Sequence, residues 1–155
     1  MLIKLLMVGK NKDNCSDNGI TDYAQRIERY HPFELKYLKE VKNTDNLTTI
    51  LNQEAEILLK EIEPQDFVVL LDEIGKEYTS VQFSHQLDKW RLGQHKRLVF
   101  VAGSPYGFGQ KIYDRCNGML SLSKMTLTHH HARLLFAEQL YRAFTIIHRH
   151  PYHHI

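Results

Sequence analysis

Two short runs in this 155-residue chain, FVVLL at 67–71 and LVFVA at 98–102, carry no polar side chain. A half-exposed strand would alternate. Continuous runs fit strands covered on both faces, which means a mainly parallel sheet with helices above and below. The flanking segments agree. LIKLLMV at 2–8 reads as a first strand, while Phe33, Leu35 and Tyr37 alternate with Glu34 and Lys36 as a half-exposed strand does. Ile20, Tyr23, Ala24, Ile27 and Tyr30 recur at helical spacing and stop before Pro32. Asn43 or Thr44 can cap a second helix whose inner face is Leu47, Ile50, Leu51, Leu58 and Ile62, with Pro64 beyond its end. Thr79 or Ser80 opens a third, burying Val81, Leu87 and Trp90 and closing at Gly93. A short helix at 110–115, a last short strand at 119–123 and a long helix from about His131 to His148 complete the pattern. The alternation predicts an α/β fold in one domain spanning residues 1–155.

Composition narrows the setting. With 43% hydrophobic and 25% charged residues the chain reads as soluble and globular. No run reaches the ~18 apolar residues of a membrane span, so no membrane partner is expected. The start, MLIKLLMVGK, lacks a small-residue cleavage site and does not read as a signal peptide. Two cysteines, Cys15 and Cys116, cannot build a disulfide framework, which suits a reducing, cytoplasmic setting. The net charge of +2 conceals an asymmetry. Residues 1–90 carry 11 Lys+Arg against 16 Asp+Glu; residues 91–155 carry 9 against 2 and eight of the ten histidines. A basic, histidine-rich half points to an anionic partner, against the alternative of an uneven surface that binds nothing.

Parallel sheets bind ligands at the carboxyl ends of their strands. Here the informative loops lie there: after Leu71, after Ala102 and after Ser123. The turn GSPYGFG at 103–109 allows the backbone to approach a ligand closely, but its spacing is neither a dinucleotide fingerprint nor a phosphate loop. It can serve an adenosine-containing cofactor through backbone groups, or be a tight strand-to-helix turn and nothing more. The loop from Ser121 to Thr128 offers hydroxyls beside an apolar wall of Leu122, Met125 and Leu127; Thr128 can equally be a helix cap. His129, His130 and His131 are adjacent, and helical neighbours point ~100° apart, so they cannot share one ion; no metal is expected. Asp72 and Glu73 are the only acidic pair a hydrolase could use, and they read better as support for the loop after Leu71. Arg133 and Arg142 lie on roughly opposite faces of the last helix. Arg142 can contact phosphate or pair with Glu138 one turn away, and Tyr152 and His153 can stack on or hydrogen-bond to an unpaired base.

The opening strand with VGK, LLDEIGKEYTS, FVAGSPYGF, LSLSKMTLTHHHARLLFAEQLYRAF and the terminal HPYHH together resemble the RlmH (YbeA) family over the whole chain. These are SPOUT-class methyltransferases of a pseudouridine in 23S ribosomal RNA. The resemblance implies a C-terminal trefoil knot, a homodimer, and S-adenosyl-L-methionine held by Leu71, Gly103, Ser104, Ser123, Lys124, Met125, Thr126, Leu127 and Thr128. Ser104 stands where the family usually has a second glycine, and Thr128, His129 and Arg133 match its THxxxR pattern. The implied reaction moves a methyl group to N3 of the base, which must lose its imide proton. A histidine near the ordinary pKa of ~6.5 can accept it, and His129 and His153 are the candidates. Arg142 would steady the anionic base, with Arg133, Arg142, Tyr152 and His153 on the substrate and the ribosome as partner. The alternative is a non-catalytic, ribosome-associated RNA-binding module.

Overall fold

The computed structural model describes residues 1–42 and 45–154. Among the described residues five strands and five helices alternate: β1 Leu2–Val8, α1 Asn14–Glu28, β2 Phe33–Leu38, α2 Leu47–Glu61, β3 Phe67–Glu77, α3 Ser80–Arg91, β4 Arg97–Ala102, α4 Gln110–Arg115, β5 Gly118–Ser121 and α5 His129–Ile147. Every strand pairing is parallel, in the order β2-β1-β4-β3-β5. The two wholly apolar runs lie in β3 and β4, which are inner strands. Their side chains feed both layers in turn, as a period of two requires. Val69, Leu98, Phe100 and Ala102 pack with Phe83 and Leu87 of α3, Ala24 and Ile27 of α1 and Phe136 and Leu140 of α5. Val68, Leu70, Val99 and Val101 pack on the other face against Ala55 and Leu58 of α2 and Ile112 of α4.

This layering positions the site. The chain leaving β3 enters α3 on one face, whereas the chain leaving neighbouring β4 enters α4 on the other. Adjacent connections that part in this way open a crevice above the strand ends.

Several elements differ from the sequence expectation. Helix α1 begins six residues early, at Asn14, because the Asp13 carboxylate accepts from the amides of Cys15 and Ser16; a polar first turn carries no apolar period to read. Asn43 and Thr44, expected as caps of α2, lie outside the described residues, and the cap is Asn46, whose side chain accepts from the Thr49 amide. Leu47, expected on the inner face, sits in the first turn and is 51% exposed, while Glu54 and Ala55 are buried. On α3, capped by Thr79 through a reciprocal bond with Gln82, Leu87 is buried as expected, Phe83 and Ser84 are buried beside it, and Val81 and Trp90 are half-buried.

Candidate functional site

Strand β3 does not end at Leu71. Its pairing with β5 runs through Leu71–Leu120, jumps, and resumes at Lys76–Leu120, so residues 72–75 leave the ladder as a bulge at the crevice. The rejoining strand passes so close to β5 that a Cβ on Gly75 would fall 2.7 Å from the Leu120 nitrogen. Asp72 holds the bulge: its carboxylate accepts from the Ile74 amide at 3.0 Å and from the Tyr113 hydroxyl of α4. Burial and this neighbouring carboxylate push the Tyr113 phenol well above its ordinary range, so it stays a donor. The Lys124 ammonium reaches across to the Glu73 carbonyl at 3.0 Å.

The second loop, 103–109, turns back on itself through a Ser104–Gly107 bridge. Gly107 has φ +86°, and a Cβ there would meet nothing within 4 Å, so it faces open space. The third loop, 122–128, is folded by its own hydroxyls. Ser121 Oγ donates to the Ser123 carbonyl, Ser123 Oγ accepts from the Met125 amide, and Thr128 caps α5 by accepting from the His131 amide.

The three loops enclose a cavity of about 430 Å³, within the ~300–1,000 Å³ of small-molecule sites. Of the nine residues expected at a cofactor, Leu71, Gly103, Ser104, Ser123, Met125, Thr126 and Leu127 line it. Lys124 and Thr128 do not; their side chains brace the bulge and the helix end. Tyr113, Tyr106 and Ile74 also line it, though no spacing in the sequence marks them. The cavity rim is apolar yet uncovered: Ile74 is 64%, Tyr106 54% and Met125 78% exposed.

His129, the first residue of α5, lines the cavity too. Desolvation, with the charges of His130 and Arg133 beside it, pushes its pKa down to about 4. The expectation of an ordinary imidazole is therefore corrected: at neutral pH this ring is uncharged and a weak base. Arg133, expected on substrate, is fully buried. Its guanidinium donates to the carbonyls of Val8 and Gly9 and to Asn11 Oδ1, at 2.5, 2.8 and 2.9 Å. The opening turns of α5 thus clamp the end of β1, and burial brings the Arg133 pKa down to about 10.

Arg142, Tyr152 and His153 form a separate cluster. Arg142 donates to Glu138 Oε1 at 2.9 and 2.5 Å, lies 3.3 Å from His153 Nδ1, and covers the Tyr152 ring at 4.7 Å. Tyr152 also meets Tyr141 edge-on at 4.8 Å. The tail is turned onto the helix by a Schellman end: the amides of Arg149 and His150 donate to Ile146 and Thr145, with Arg149 at φ 55°. Arg142 stands thirteen positions beyond His129 on α5, about 20 Å along the axis at 1.5 Å per residue. The three candidate catalytic side chains do not converge within one chain. Among the described residues no group of three or more His, Cys, Asp or Glu could hold a metal ion, and no helix is long and apolar enough to cross a membrane.

A family model described as "Predicted SPOUT methyltransferase" matches residues 1–153. Proteins named ribosomal RNA large subunit methyltransferase H from Parabacteroides distasonis, Phocaeicola vulgatus and Flavobacterium psychrophilum are each 45% identical, over 99% of this chain and 99% of theirs. Among solved structures, a probable methylase family protein from Haemophilus influenzae superposes with a TM-score of 0.50 at 13% identity, covering 95% of this chain and 66% of that one. A hypothetical protein gives 0.53 at 15%, covering 94% and 68%. At such identities these two likenesses concern the fold alone.

Proposed function

The chain belongs to the SPOUT methyltransferase family, and from that premise we propose that it methylates N3 of a pseudouridine in 23S ribosomal RNA, with S-adenosylmethionine as donor. It is a ribosomal RNA methyltransferase, as its relatives' names state of them. One SPOUT domain spanning residues 1–155 carries the work, its C-terminal loops knotted as in the family, on assembled ribosomes in the cytoplasm.

The observation that carries the reading is the cavity built by three strand-end loops at the switch between β3 and β4. Its wall, open at Gly107 and apolar at Leu71, Leu122 and Leu127, suits an adenosine attached to a short charged chain. S-adenosylmethionine, when bound, supplies a methyl group on a positively charged sulfur. The protein's part is to hold donor and acceptor in line and exclude water. Ile74, Tyr106 and Met125 provide uncovered apolar surface at the mouth for a pyrimidine ring drawn out of its helix. Uncharged His129 can accept a hydrogen bond there without repelling a sulfonium.

Arg142 and His153 enter the reaction only if another copy of the chain brings them. A homodimer that sets the tail cluster of one protomer over the cavity of its partner closes the gap of about 20 Å. Arg142, already held flat by Glu138 and Tyr152, would then steady the anionic base. Arg133 acts from inside, fixing the start of α5 and so His129, rather than on phosphate.

Calorimetry with S-adenosylmethionine is the direct test, paired with mass spectrometry of ribosomal RNA from cells lacking the protein. Saturable binding and one missing methyl group on a pseudouridine are expected. No heat of binding and an unchanged RNA would return the chain to a non-catalytic RNA-binding module.

A further inference from the structure

Glu54 lies on α2, behind the glycine-containing turn rather than in the cavity, and is only 3% exposed. A glutamate at a core position is costly unless its oxygens are used. One is: the Ser104 hydroxyl, itself 7% exposed, donates to Glu54 Oε2 at 2.7 Å. The other, Oε1, is buried and meets no hydrogen-bond partner. A residue kept here merely to fill space would be apolar, and leaving a carboxylate oxygen unsatisfied is destabilising.

The use of that single bond is visible one step further on. Ser104 Oγ also accepts from the Tyr106 amide at 3.4 Å, and the Ser104 carbonyl accepts from the Gly107 amide at 3.1 Å. The far end of the turn rests on the same helix: a Cβ on Gly109 would lie 2.8 Å from the Leu51 carbonyl oxygen. Helix α2 thus supports the turn at both ends, by backbone contact at Gly109 and by one carboxyl group at Ser104.

We propose that Glu54 is a positioning residue for the donor site: through Ser104 it fixes residues 104–107 in the conformation that walls the cavity. The inference rests on the methyl-donor reading of that cavity. Burial pushes the Glu54 carboxyl pKa up and Glu40 adds to the rise, while the Ser104 bond opposes it. The hydrogen bond needs only an acceptor, which a neutral amide also supplies.

The test compares E54Q, E54A, S104A and E54A/S104A with the wild type by calorimetry using S-adenosylmethionine, and by amide hydrogen exchange without it. E54A and S104A should each weaken donor binding about tenfold and speed exchange at the Tyr106 and Gly107 amides, while E54Q should stay within about threefold of wild type. The double variant should be no weaker than the worse single one, because both remove the same bond. Unchanged affinity and exchange in S104A would overturn the proposal, as would losses that multiply in the double variant. If E54A does not fold, S104A weakened beside a near-normal E54Q still supports it, and E54Q as weak as S104A overturns it. A wild type that binds no donor, yet whose turn amides loosen in S104A, would sink the donor reading and leave the anchoring intact.

Discussion

His129 shows how far a position can move a residue from its ordinary chemistry. Its folded pKa of about 4 lies below the 6.5 of an unhindered imidazole, chiefly because burial strips water from the charged form, with His130, Arg133 and Lys12 also opposing the charge and Glu40 favouring it. Between those values the unfolded chain binds a proton that the folded chain refuses. Stability from this group is therefore full above about pH 6.5 and is lost as pH falls towards 4. Thermal melts of wild type and H129N across that interval should converge at acid pH, with the wild type showing the steeper decline; parallel curves would refute the assignment. The same shift means that methyl transfer should show no inflection from His129 between about pH 6 and 9. Residue identity in the sequence could place His129 at a loop end, but not its burial. Arg133 and Glu54 escaped for the same reason. Charged side chains on helices read as solvent-facing, and only the packed fold reveals carbonyls or a hydroxyl waiting inside.

At the scale of elements, the apolar runs made β1, β3 and β4 plain, because strands buried on both faces have few polar options. What periodicity could not show was the second half of β3. Its residues DEIGKE carry no strand signature, and they belong to the sheet through backbone pairing with β5 beyond the bulge. Gly75 is the residue that permits this approach. Gly75→Ala would force its Cβ into the backbone of Met119 and Leu120, pushing β5 and the loop it feeds. The expected cost is about 1–3 kcal/mol in chemical denaturation, as for other overpacked interiors, accompanied by weaker donor binding. A variant as stable as wild type would mean that the bulge yields freely. The capping residues tell a similar story: Thr79 and Thr128 were readable because hydroxyls at helix starts are common, whereas Asp13 preceded a polar turn that disguised the helix behind it.

For the whole molecule, the alternation of strands and helices marks the carboxyl end of the sheet from the sequence alone, and the cavity stands at the three loops so marked. The arrangement of the remaining candidates was illegible, since sequence distance along α5 says nothing of which copy of a site each end will serve. With the cavity at one end of the helix and the Arg142–His153 cluster at the other, two separately defective chains should rescue each other. Gly103→Val crowds the Phe108 ring and the Gly107 carbonyl; Arg142→Ala removes the tail's anchor. Neither should methylate ribosomes alone. Co-refolded in equal amounts they should regain about a quarter of wild-type turnover, because half the pairs are mixed and each mixed pair holds one whole centre. No recovery would refute the shared centre. Dilution tests the proposed dimer in the same way: if two copies share each centre, methylation should fall with the square of protein concentration once they separate, while uptake of the donor, local to each chain, falls only in proportion.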